Sequence, residues 1–163
     1  MRKQKGFSLI ELLIVVAIIL IIAAIAIPNL IRARMSANEA SAVGSVRSIN
    51  TAEISYNAAY PATGFSTTLA ALGGTGTCTP STATGCFIDS VLTNGTKSGY
   101  TFTVGGGSCT ASTPQNCYNV QASATQQGQS GIRSFCSYED AVVRYSTSSG
   151  ITSPCAASVA PLQ

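Results

Sequence analysis

Apolar and polar positions divide this chain into three regimes. From Leu12 to Ile27, sixteen consecutive residues are apolar. From Leu30 to about Tyr60, apolar residues recur at helical spacing instead. Beyond about Ala62 the chain becomes rich in Ser, Thr, Gly and Ala, with short alternating runs between turn residues. The first regime predicts a helix that is apolar all round, the kind that is buried in a membrane or among other helices. Phe7 to Ile27 is 21 residues, about 31 Å as helix at 1.5 Å per residue, which matches the thickness of a bilayer core.

In the second regime Ile31, Met35, Ala42, Val46, Ile49, Tyr56 and Tyr60 fall within one stripe about 80° wide at 100° per residue. That stripe reads as an ordinary packing face on which a C-terminal sheet sits. Asn38 and Glu53 also fall on it, and the pattern gives no reason for either. Pro28 lies inside the helical pattern, where it removes one hydrogen bond and crowds the preceding turn, so a kink is expected there. A single helix from Phe7 to Tyr60 has 54 residues, about 81 Å. Tyr60-Pro61 ends it, because the residue before a proline disfavours the helical region. Gly44 costs this helix about 1 kcal/mol of propensity.

In the third regime, "STTLAALGG" predicts a short helix ended by Gly73-Gly74, and "FIDSVLTNG" another ended by Gly95. Strands follow at Gly99–Val104, Cys117–Ala124, Ile132–Tyr138 and Ala141–Ser146, the last two as a hairpin across Glu139-Asp140. The expectation is an antiparallel meander of about four strands. One face packs on the helix and the other meets solvent or a neighbouring subunit. Residues 147–163 are expected to be a loop tied back by Cys155. The fold class is therefore α+β: a long kinked N-terminal helix against a small antiparallel sheet. The chain divides into residues 1–6, 7–27, 28–60 and 61–163.

Composition narrows the chemistry. The chain has no His, so the side chain best suited to proton transfer near neutral pH is missing. Carboxylates are few and scattered, and nothing pairs a nucleophile with a base. No catalytic residue, metal ligand set or cofactor site is expected. Calcium needs clustered oxygen ligands, and only Asp89, Glu139 and Asp140 are acidic after Glu53. Three of the nine basic residues are Arg2, Lys3 and Lys5. Without residues 1–6, six basic side chains face six acidic ones. There is no basic stripe of the kind nucleic-acid binding requires.

All six cysteines, Cys78, Cys86, Cys109, Cys117, Cys136 and Cys155, lie in the third regime. None forms a C-x-x-C pair, and the even count fits structural disulfides in an oxidising compartment. Six cysteines allow fifteen pairings. The repeated loops "CTPSTATGC" and "CTASTPQNC" favour Cys78–Cys86 and Cys109–Cys117, leaving Cys136–Cys155. "NGT" at Asn94–Thr96 is a glycosylation sequon, and an Asn-Gly turn accounts for it equally well.

The N-terminus admits three readings. A secretory signal peptide would use the basic residues as its n-region and "AAIA" as its cleavage site, but the apolar run exceeds the usual length. A plain transmembrane anchor leaves Glu11 unexplained, since a carboxylate in such a segment is costly and marks function by default. The third reading rests on "KGFSLIELLIVVAIILIIAAIAIP". This segment resembles the N-terminus of type IV prepilins and related pseudopilins: a short basic leader ending in Gly, then Phe, then a hydrophobic run with Glu at its fifth residue. Here these are Gly6, Phe7 and Glu11, and the match covers residues 1 to about 35.

The resemblance implies the pilin fold. It also implies that a prepilin peptidase cuts between Gly6 and Phe7 and N-methylates Phe7. Glu11 would be an assembly residue that meets the N-terminal amine of a neighbouring subunit, or its own one turn away. A charge pair in a low-dielectric bundle is tolerable where a lone carboxylate is not. The implied partners are copies of the chain in a helical filament, the peptidase, an inner-membrane platform with a motor ATPase, and membrane lipid before assembly. The implied location is the bacterial inner membrane as a single-pass protein, then an extracellular pilus or a periplasmic pseudopilus. The departure from the calcium-loop pattern of major pseudopilins, with six cysteines instead, favours a pilus subunit over a pseudopilin of type II secretion. Two rivals of other classes are a tethered binding module with a conventional signal peptide and an enzyme.

Overall fold

The computed structural model describes residues 7–74, 76–105, 113–147, 155 and 158–162. The element order is α1 (Leu9–Ala59), α2 (Leu69–Leu72), α3 (Ser90–Thr93), β1 (Thr96–Lys97), β2 (Tyr100–Gly105), β3 (Asn119–Ala124), β4 (Ser134–Tyr138) and β5 (Arg144–Ser146). The expected α+β class is what forms: a 51-residue helix and one antiparallel sheet in the order β1-β2-β3-β4-β5. Helix α1 runs unbroken through Pro28. The chain forms two compact units, Met1–Arg34 and Met35–Gln163.

In the first unit every large apolar side chain from Phe7 to Leu30 is between 46% and 82% exposed. Ile31, placed on the packing stripe by its spacing, is 46% exposed as well. In the second unit the stripe is buried from Ala42 to Tyr56: Ala42, Val46, Ile49 and Tyr56 are closed off from water, and Tyr60 is half-buried against them. They join Tyr100, Phe102, Tyr118, Val120, Ala122 and Phe135 in one core. The register explains that set. Phe102 pairs with Ala122, and Ala122 with Phe135, so the three stack across β2, β3 and β4 on one face.

The sheet has five strands where four were expected. The addition, β1, pairs Lys97 with Tyr100 around Ser98-Gly99. Both turn residues have positive φ, 50° and 72°, as a two-residue turn matched to strand twist demands. Helices α2 and α3 form where predicted, because Thr68 and Asp89 cap them: Thr68 accepts from the Ala71 amide and Asp89 from the Leu92 amide.

All four expected strands start later than their patterns suggest, β2 by one residue and β3 by two, and for β4 and β5 the reasons are identifiable. The amides of Ile132 and Arg133 donate to Glu39 Oε1, so β4 begins at Ser134. Asp140 accepts from the Val142 amide and Ala141 takes φ 57°, so the chain turns and β5 begins at Arg144.

The second sheet face also departs from expectation. Strand β4 is buried on both sides. Its outward Cys136 bonds to Cys155 and packs with Tyr138 and Val159. The C-terminal segment continues along the outer edge of β5: Tyr145 donates its amide to Ala160 and Leu162 donates to Val143. A returning segment, and not solvent or a neighbour, thus covers this part of the sheet and pairs its exposed edge.

Candidate functional site

Phe7 and Ser8 precede α1, and Gly6 lies outside the described residues. Phe7 is 82% exposed. Ser8 accepts from the Leu12 amide at 3.3 Å, and Glu11 Oε2 accepts from the Ser8 amide at 3.0 Å. Ser-x-x-Glu is the capping-box pattern, and its glutamate half is formed here: the Ser8 bond from Leu12 is to the main-chain carbonyl, while Glu11 satisfies an amide that the helix leaves open. Glu11 also sits where the helix dipole favours negative charge. In this unassembled chain the carboxylate therefore has a local partner that the sequence pattern signals and that reasoning from the charge alone passes over. The capping bond leaves Glu11 at the solvent-exposed head of the apolar run, one turn from Phe7. Helix α1 contains a stretch long and apolar enough to cross a membrane by length and composition.

Within the second unit four polar residues of α1, Asn38, Glu39, Asn50 and Glu53, bond to the rest of that unit. Glu39, 7% exposed, accepts the Ile132 amide at 2.8 Å, the Arg133 amide at 3.0 Å and Arg133 Nε at 2.8 Å. Burial raises the cost of its charge, but the two amides and the guanidinium outweigh this and hold its carboxyl below the ordinary value. Asn50 donates to Ser137 and Ala141 and accepts from the Tyr118 hydroxyl. Asn38 donates to the Ser130 carbonyl, which accounts for a polar residue on the packing stripe. Glu53, the other such residue, is wholly buried and bonds to Ser66.

Cys78 is bonded to Cys86 and Cys136 to Cys155, with Cα–Cα distances of 5.9 and 5.7 Å. Cys117 is disulfide-bonded, and its expected partner Cys109 lies outside the described residues. Among the described residues no group of three or more His, Cys, Asp or Glu side chains is gathered as a metal site would need. Asp89 instead caps α3 and pairs with Lys97, and Asp140 pairs with Arg144. Asn94 is the exposed C-cap of α3, followed by Gly95 at φ 75°, the turn that its sequence suggested.

Residues 1–27 match the model of the prokaryotic N-terminal methylation motif. The chain is similar to the major component of the type IV wide pilus of Thermus thermophilus, 67% identical over 39 residues, which is 24% of this chain and 30% of that protein. It is similar to the type IV major pilin protein of Myxococcus xanthus, 46% identical over 54 residues, 33% of this chain and 24% of that protein. It is also similar to the type II secretion system core protein G of Vibrio cholerae, 38% identical over 66 residues, 39% of this chain and 45% of that protein. The matches thus span about a quarter to a half of those relatives' length. No solved structure matches. The methylation motif at the head of the chain and stretches covering 24% to 39% of it are thus what this chain shares with type IV pilins and a type II secretion core protein.

Proposed function

We propose that this chain is a structural subunit of a type IV pilus-like filament. In this reading a prepilin peptidase cuts between Gly6 and Phe7 and methylates the amine it exposes on Phe7. Residues 7–27 hold the unassembled subunit in the inner membrane, in contact with lipid. A membrane platform with a motor ATPase then draws copies into a helical filament through their N-terminal helices. Glu11 exchanges its capping bond for the N-terminal amine of a neighbour. The gain from a charged partner grows as the surroundings lose water. Pro28 kinks the helix where the apolar segment ends.

The observation that carries the proposal is the matched motif, with Phe7 and Glu11 at its head, on a helix whose apolar side chains up to Leu30 have no cover within the subunit. Such a surface requires lipid or other helices. The likeness to the type II secretion core protein, the longest of the three aligned stretches, supports a second reading as a major-type pseudopilin.

Mass spectrometry of membrane and sheared-filament fractions tests both. The proposal expects a mature chain starting at N-methylated Phe7, six hydrogens light for three disulfides, in the sheared extracellular fraction. The same species confined to the cell envelope selects the pseudopilin reading. A mature chain starting near Ile27, or uncut at Met1, overturns both.

A further inference from the structure

Glu53 lies near the end of α1 with no surface exposed to water. Its Oε2 accepts the Ser66 amide at 2.8 Å, and its Oε1 lies 2.7 Å from the Ser66 hydroxyl. No Lys or Arg among the described residues pairs with it. The titratable groups that face it are Tyr56 from the same helix and Tyr118 at the entry to β3. Their hydroxyls donate elsewhere, to the Thr82 carbonyl and to Asn50 Oδ1. Among the described residues nothing positive offsets a charge at this position, and an uncompensated buried carboxylate is strongly disfavoured.

The hydrogens in this cluster point the same way. The Ser66 hydroxyl carries one hydrogen but lies near two acceptors, Glu53 Oε1 and the Thr68 carbonyl, the latter at 3.2 Å. If Glu53 is ionised, that hydrogen serves the carboxylate and the Thr68 bond is lost. If Glu53 is neutral, its own hydrogen passes from Oε1 to Ser66 Oγ, and the hydroxyl then donates to Thr68. While the loop stays docked, the Ser66 amide reaches Oε2 in either state, so what favours undocking on ionisation is the unpaired charge held away from water. Only the neutral acid completes the set.

We propose that Glu53 and Ser66 form a proton-controlled latch, which fastens the loop after α1 to the helix when Glu53 is neutral and releases it when Glu53 ionises. The released segment spans residues 62–68. Ala62, Thr63, Ser66 and Thr67 from it line one wall of an open cleft of about 450 Å³. Main-chain bonds between Gln115 and both Thr63 and Phe65 tether its first half, so release acts on the Ser66 end. Burial pushes the Glu53 carboxyl up to about 7, which places the transition at ordinary environmental pH. The latch is closed on the acid side and open on the alkaline side.

Amide hydrogen exchange on the full chain in detergent micelles tests this between about pH 5.5 and 8.5. Protection of Ser66, corrected for the intrinsic rate, should fall about tenfold or more relative to Val120 in β3, with a midpoint near neutrality. In Glu53→Gln the amide nitrogen donates to Ser66 Oγ and the oxygen accepts the Ser66 amide, so the ratio should not change with pH. A constant ratio in the unaltered chain, or an unchanged transition in the variant, overturns the latch. Infrared titration of the unaltered chain with labelled glutamate carboxyls decides the matter if the variant does not fold. A protonated carboxyl persisting at about pH 5.5 and lost by about pH 8.5 supports the latch. Complete ionisation at the lower pH sinks it.

Discussion

Glu39 and Glu53 are both buried carboxyls of α1, yet their surroundings send them in opposite directions. Glu39 has two amides and a guanidinium, and Glu39→Ala leaves all three without their acceptor. The expected loss is about 2–4 kcal/mol in chemical denaturation. Because its folded value lies below the unfolded one, its contribution is present above the unfolded value and vanishes as pH falls through the folded value. Glu53 has the reverse sign. Its value rises from 4.5 to about 7, so its contribution is full below the unfolded value and is lost as pH rises to about 7. The difference of about 2.5 units corresponds to about 3 kcal/mol at 1.36 kcal/mol per unit. Unfolding of the unaltered chain should therefore show stability declining from about pH 5 to pH 8, and Glu53→Gln should flatten that decline. A flat profile in the unaltered chain would contradict the assignment. At the other end of the helix, Glu11→Ala removes only an exposed capping bond, a cost of about 1 kcal/mol or less. Processing and membrane insertion should persist while filament yield falls close to zero. Normal yield in sheared fractions would remove the charge-pairing role.

At the scale of elements, α1 was legible along most of its length because a 3.6-residue period and a following proline are local signals. The same period misplaced Ile31, which is exposed, because periodicity marks a face but not how far along it a partner reaches. It also gave no warning of the buried Glu39, whose partners lie more than ninety residues away. Strand starts failed for the same reason: Ile132 and Arg133 alternate like strand residues, yet their amides are claimed by that distant carboxylate. The two short helices were legible because their caps are adjacent in sequence. The covering of Cys136 by the C-terminal segment was not, since the outward face of β4 gives no sequence sign of what closes over it. Gly44 is a case where the element alone makes the prediction. It lies mid-helix, and a Cβ there meets nothing within 4 Å. Gly44→Ala should therefore raise the unfolding free energy of the subunit by about 0.5–1 kcal/mol, through propensity alone. A loss of stability would mean that the site is more crowded than its geometry indicates.

The whole molecule joins two solutions to the problem of apolar surface. The unit Met35–Gln163 buries its own: the core begins at Ala42, and every buried hydrophobic residue belongs to that unit. Among its described residues the unit Met1–Arg34 buries none of its large apolar side chains, so their surface stays open. The second unit should therefore fold without the first. A chain beginning at Asn29 should then be soluble without detergent. Its far-ultraviolet spectrum should match that of residues 29–163 in the intact protein, and its stability should lie within about 1 kcal/mol of the intact subunit, the difference expected from fraying at a new helix end. Shortening should leave the disulfides Cys78–Cys86 and Cys136–Cys155 unaffected, because both close within the second unit. Solubility with a sharp unfolding transition would establish that the apolar helix serves only the membrane and the assembly. An unfolded or aggregated product would show instead that the first unit supports the second, and that the exposed helix contributes to folding before any partner meets it.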